Sequence, residues 1–107
     1  MPKPSTKSSA KKTKNWSDTS VSAKFSVVHR LGLHTRPAAA IVKIAKQFSA
    51  TTITLKKGPL EVDGKSMLEV LTLEAKQGEV IEIFARGLKA KEALAQLGQL
   101  FQNGFHE

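Results

Sequence analysis

The chain of 107 residues contains no cysteine, no tyrosine and a single tryptophan. Without cysteine there is neither a disulfide framework nor a thiolate metal site, so a chain of this size must fold on packing alone. That suits a reducing compartment. Aromatic side chains are scarce, five phenylalanines beside the one tryptophan, and no motif gathers them into a platform on which nucleic-acid bases would stack. Long apolar runs are missing as well. The longest, residues 38–42, has five members, against roughly 20 for a membrane span, and the first residues carry no apolar core of the kind a signal peptide needs. A soluble, cytoplasmic protein without membrane insertion is expected. Length excludes a second catalytic domain, because so short a chain buries one modest core.

Positive charge, by contrast, is plentiful, with a net charge of +8. Its distribution matters more than its sum. The first 20 residues hold Lys3, Lys7, Lys11, Lys12 and Lys14 against Asp18 alone, which is half of the excess. This segment is rich in Ser, Thr, Lys and Pro with Trp16 its one aromatic residue, a composition that cannot repay the entropy of ordering. Residues 1–21 are therefore expected to form a disordered basic arm, and residues 22–107 one folded domain. A basic arm can tether nucleic acid through counterion release; a solvated tail is the simpler reading, and no specific nucleic-acid partner is expected.

Beyond the arm the patterning alternates. Residues 23–30, AKFSVVHR, are β-branched and aromatic and predict a strand. Over residues 36–48, Ala38, Ile41, Val42, Ala45 and Phe48 recur at helical spacing with Lys43, Lys46 and Gln47 off the stripe, which predicts an amphipathic helix. Residues 51–62 read as a hairpin turning at Lys57, Gly58 and Pro59. A short helix follows the turn at Asp63 and Gly64, then a strand over 78–87. The last helix, within 88–104, places Ala90, Ala93, Leu94, Leu97, Leu100 and Phe101 on one face. Three helices with apolar stripes must share a surface, and a four-stranded, mainly antiparallel sheet offers one face for them. The expected class is α+β, an open-faced sandwich in the order βαββαβα.

The chemistry concentrates at residues 32–40, GLHTRPAAA. His34 stands where a strand has ended and a helix begins, beside the unpaired N–H groups of the first turn, a ready anion site. Pro37 is tolerated there because its missing N–H costs no helix bond. The helix end and the Arg36 guanidinium both favour the uncharged ring, whose lone pair can attack phosphorus. A phosphoryl group on that ring would then face the partners it prefers, and positioning plus charge supply most of what phosphoryl transfer needs. Taken alone, a His-x-Arg pair is more often a helix cap beside a solvated arginine. Further on, Ser66 and Glu69 form the Ser-x-x-Glu of a capping box, in which Ser66 accepts from the Glu69 backbone and Glu69 reaches back.

The run GLHTRPAA, followed by GKSMLEVLTL within a βαββαβα pattern, resembles the HPr family, the histidine-containing phosphocarriers of the bacterial phosphoenolpyruvate-dependent phosphotransferase system. The likeness covers about residues 23–104. It implies that His34 is phosphorylated on Nδ1, that Arg36 assists transfer, that enzyme I donates the phosphoryl group and that an enzyme IIA domain accepts it. The protein would then be a group carrier without a cofactor, not an enzyme, and a monomer. The resemblance also implies that Ser66 is phosphorylated by HPr kinase/phosphorylase, with a transcriptional regulator as a further partner. Partners would dock on Thr35 and on an apolar patch at Met67 and Leu68 rimmed by Lys43, Lys46 and Lys65. Glu69 departs from the family pattern, as do a one-residue length difference near residues 49–51 and the long basic arm. His29, read within the first strand, and His106 form no ligand set with His34, so no metal is expected. Glu61, Asp63, Glu69, Glu74, Glu79 and Glu82 read as scattered surface acids. Two alternatives stand beside the carrier: an HPr-like regulatory protein acting by binding, and a small basic nucleic-acid-binding domain.

Overall fold

Strands that alternate apolar with polar residues bury one face and leave the other to solvent. In the computed structural model, which describes residues 19–106, four such strands pair antiparallel in the spatial order β1-β4-β2-β3: β1 (Ser20–Ser26), β2 (Thr51–Lys57), β3 (Leu60–Asp63) and β4 (Val80–Gly87). Ile81, Ile83 and Ala85 of β4 and Ile53 and Leu55 of β2 point into the core. On the outer face, the register seats Glu82 between Lys24 and Lys56, an arrangement of opposite charges that favours this pairing.

The helices α1 (Thr35–Lys46), α2 (Met67–Thr72) and α3 (Ala90–Gln102) cover the inner face. Ala38, Ile41, Val42 and Ala45 of α1 are buried, as the spacing predicted. Burying a side chain such as Ile41 contributes about 2–3 kcal/mol. Ala90, Ala93, Leu97, Leu100 and Phe101 of α3 do the same, with Leu94 partly buried. Phe101 stacks on Phe25 at 5.5 Å between ring centroids and meets Phe105 edge-on at 4.9 Å, tying β1 to the C-terminal turn. The α+β sandwich and its βαββαβα order are as expected.

Two boundaries differ from expectation. β1 starts at Ser20 and stops at Ser26, where 23–30 was expected. Its start lies inside the segment read as an arm, because Ser20, Ser22 and Lys24 face outward while Val21, Ala23 and Phe25 face in, and the Gly87 N–H already donates to the Thr19 carbonyl at 2.8 Å. The rest of the expected arm lies outside the described residues. At the other end, His29 is not in the strand: it opens a turn, with the Gly32 N–H donating to its carbonyl at 2.8 Å.

Candidate functional site

The site is made where the connection from β1 to α1 is fastened to the connection from α2 to β4. Val27 donates its N–H to the Glu79 carbonyl at 2.9 Å and accepts from the Gly78 N–H at 2.8 Å, while Gln77 Nε2 donates to the Val28 carbonyl at 3.1 Å. Further along, the Leu33 N–H donates to the Ala75 carbonyl at 2.9 Å. Gly32 lies at φ +72°, and a Cβ there would run into that same Ala75 carbonyl. The approach to His34 therefore requires glycine on two counts, backbone conformation and space.

His34 is the N-cap of α1, with extended backbone; its N–H donates to the Gly32 carbonyl and its carbonyl accepts from the Ala38 N–H, both at 3.0 Å. Its side chain makes no capping hydrogen bond to the helix. The side chain therefore does not serve as the cap of α1. Ala38 is the first residue of α1 whose N–H enters the helical ladder, Pro37 has no N–H, and the amides of Thr35 and Arg36 lie ahead of the ladder. No acidic residue sits in this first turn, so the positive end of the helix is open to an anion. Thr35 and Arg36 are exposed and Pro37 is buried. The His34 ring is half-buried with Nε2 closed to solvent.

Two residues that the sequence reading set aside belong to this site. His29 brings its ring to 5.0 Å from that of His34, centroid to centroid, at a tilt of 53°. Glu79, read as one of several surface acids, fastens the connection beneath the site. Its Oε1 accepts from the Lys76 N–H at 2.7 Å and from Lys57 Nζ at 3.4 Å, and Lys57 Nζ also donates to the Glu74 carbonyl at 3.3 Å. The Lys76 hydrogen bond first, and then the Lys57 charge, hold the Glu79 carboxyl below the ordinary glutamate value. The spacing of Lys76 and Glu79 across Gly78 was the signal: a carboxylate three residues on from a backbone amide, in a glycine turn, can close the loop. For His29 the signal was its place two residues before Leu31, where a short-range acceptor meets a turn amide.

Ser66 is the N-cap of α2, and its Oγ accepts from the Glu69 N–H at 3.3 Å. The other half of the expected capping box is not made. Glu69 Oε1 accepts from the Asp63 N–H at 2.9 Å, because the Ser66 N–H is already given to the Asp63 carbonyl at 3.1 Å in the turn. Lys65 is drawn inward: its Nζ donates to the carbonyls of Phe48, at 2.8 Å, and Thr51. Met67 is half-buried against the core, and Leu68 is 79% exposed. Lys43 and Lys46 are exposed on the last turn of α1. The start of α2 therefore meets the chain just after α1, through Lys65 and Phe48, while the segment after α2 meets the chain just before α1, through Ala75 and Leu33. His34 and Ser66 stand near opposite ends of α1, which is about 18 Å long at 1.5 Å per residue. Among the described residues no three His, Asp or Glu side chains gather as metal ligands, and no helix is long and apolar enough to cross a membrane.

Comparison with known proteins decides what this arrangement belongs to. Residues 21–103 match the family described as PTS HPr component phosphorylation site. The chain belongs to the HPr family. The phosphocarrier protein HPr of Xylella fastidiosa is 37% identical over 83 residues, 78% of this chain and 92% of that protein. The phosphocarrier protein NPr of Proteus mirabilis is 32% identical over 84 residues, 78% and 93% of the two chains. HPr-C-His from Thermoanaerobacter tengcongensis has the same fold, with a TM-score of 0.77 at 32% identity over 81% of this chain and 97% of that one. An HPr-family chain is a phosphocarrier of the phosphotransferase system, and the open helix end beside His34 suits such a role.

Proposed function

We propose that this protein carries a phosphoryl group on Nδ1 of His34, taking it from enzyme I and passing it to an enzyme IIA domain. The observation that carries the reading is the half-buried His34 ring at the N-terminus of α1, with Nε2 closed to solvent and no acidic residue in the first turn of the helix. In the loading step the Nδ1 lone pair forms a bond to phosphorus as the bond from phosphorus to the donor's phosphorylated group breaks, and that electron pair returns to the donor. In the unloading step the acceptor nucleophile attacks and the pair returns to Nδ1. On this reading the amides of Thr35 and Arg36, ahead of the helical ladder, and the Arg36 guanidinium would serve as donors to the phosphoryl oxygens. The protein acts as a monomer in the cytoplasm and needs no cofactor.

Thr35, Leu68, half-buried Met67 and the exposed Lys43 and Lys46 would meet these partners; the internal bonds of Lys65 give it a supporting part in that face. Ser66 is a candidate phosphorylation site for HPr kinase/phosphorylase, since a phosphate on an N-cap is favoured by the helix end and would alter the partner face some distance from His34. A second reading, a regulatory branch that reports its state to other proteins by binding, is favoured by Glu69, which sets a negative charge beside Leu68, and by the likeness to NPr as well as HPr.

Incubation with enzyme I and labelled phosphoenolpyruvate tests the carrier. Acid-labile phosphate is expected on the wild type and none on His34→Ala, with Arg36→Ala loaded roughly 10- to 100-fold more slowly at unchanged fold. An unlabelled wild type would sink the reading. Loaded protein that keeps its label in the presence of enzyme IIA domains would favour the regulatory branch.

A further inference from the structure

We infer that His29 is a positioning residue for the His34 ring, an assignment that rests on the carrier reading above. Three contacts converge on it. Its Nδ1 accepts the Leu31 N–H at 3.1 Å, its carbonyl accepts the Gly32 N–H at 2.8 Å, and its ring leans on that of His34 with centroids 5.0 Å apart and planes at 53°. One residue thus ties the Leu31 and Gly32 amides of the turn that leads to His34 and sets its ring, tilted, against the ring of His34.

The chemistry of each contact is specific. To accept the Leu31 N–H, Nδ1 of His29 must offer its lone pair, so the uncharged ring carries its proton on Nε2. That bond spans two residues and fixes the direction in which the ring leaves the backbone. A ring so anchored limits rotation of the His34 side chain about its last torsion, which is broad for an imidazole left to itself. Rotation matters here because Nε2 of His34 is closed to solvent; a swing of the plane would move Nδ1 off the line of attack. Holding a nucleophile in line is worth one to two orders of magnitude in rate for a displacement of about 1 Å. The turn bond itself is exposed, so water can replace it. Loss of His29 should therefore leave the fold standing and appear in the transfer rate.

Three variants separate the contributions. His29→Ala removes ring and acceptor, His29→Asn keeps a side-chain acceptor for the Leu31 N–H without the ring, and His29→Phe keeps a ring face without the acceptor. Phosphoryl acceptance from enzyme I and the ring 15N and 1H NMR signals of His34 are measured on each. The expected result is acceptance slowed roughly tenfold in His29→Ala and His29→Asn, partial recovery in His29→Phe, and displaced or broadened His34 ring signals in the slow variants. Wild-type rates and unchanged His34 signals in His29→Ala would overturn the assignment, and the same result in His29→Asn would do so if the alanine variant does not fold. Failure of the wild type to accept phosphate would instead refute the carrier reading, while the NMR comparison still tests whether His29 holds the ring.

Discussion

Gly32 has no side chain, and the site depends on that. At φ +72° an L-residue is strained, and an added Cβ has the Ala75 carbonyl in its way. Gly32→Ala must push the loop off Ala75 and break the Leu33 hydrogen bond, or accept both penalties. It should lower stability by about 1–3 kcal/mol, read as a fall in the urea midpoint, and slow phosphoryl acceptance by His34 as well. An unchanged midpoint would show that the loop can leave Ala75 without consequence. The run GLHTRPAA was legible at this scale, since Gly, His, Arg and Pro at a helix start each have a local reason to be there. Which way a side chain turns was not. Met67 and Leu68 are equally apolar, yet one packs against the core and the other is 79% exposed, a choice made by the placement of α2 against its neighbours.

At the scale of elements, α1 could be read from its stripe, and β2, β3, β4 and α3 from their periods, because each buries a face that recurs at fixed spacing. β1 was harder: it is an edge strand paired to β4 alone, its outward residues are serines and lysine, and serine beside a basic arm looks like more arm. The connection between α2 and β4 was harder still. Its anchor, Glu79, reaches Lys57 on β2, a contact that no local pattern contains. The Lys76 hydrogen bond and the Lys57 charge stabilise the Glu79 carboxylate in the folded protein and lower its pKa below the ordinary value of 4.5. The unfolded chain then binds the proton more tightly, so this contribution is complete above that value and is lost as pH falls through the lowered one. Glu79→Gln keeps an oxygen to accept from Lys76 but cannot ionise. Urea unfolding at pH 7 should find the variant less stable than the wild type, and at pH 3 the gap should narrow. A gap that is constant with pH would show that the carboxylate charge plays no part in holding the loop.

At the scale of the whole molecule, the core among the described residues has Val27, Ile41, Leu55, Val70, Ile83, Leu97 and Phe101 meeting between one sheet face and three helices. The first 18 residues carry five lysines against one aspartate. Deleting residues 1–18 should leave the melting temperature within about 2 °C and phosphoryl acceptance unchanged, while any weak, salt-sensitive affinity for DNA at low ionic strength should fall. A melting temperature lowered by more than about 5 °C would mean that the arm packs on the domain. The class of fold and the place of His34 and its charged neighbour Arg36 at a helix start followed from residues near one another in the chain, because periodicity and helix-end chemistry are local. The closed Nε2, the ring of His29 against His34, the fastening by Ala75 and Glu79, the inward turn of Lys65 and the separation of Ser66 from His34 came from contacts between distant segments. Only packing brings those segments together, and packing is where the chain's many local preferences must settle on one arrangement.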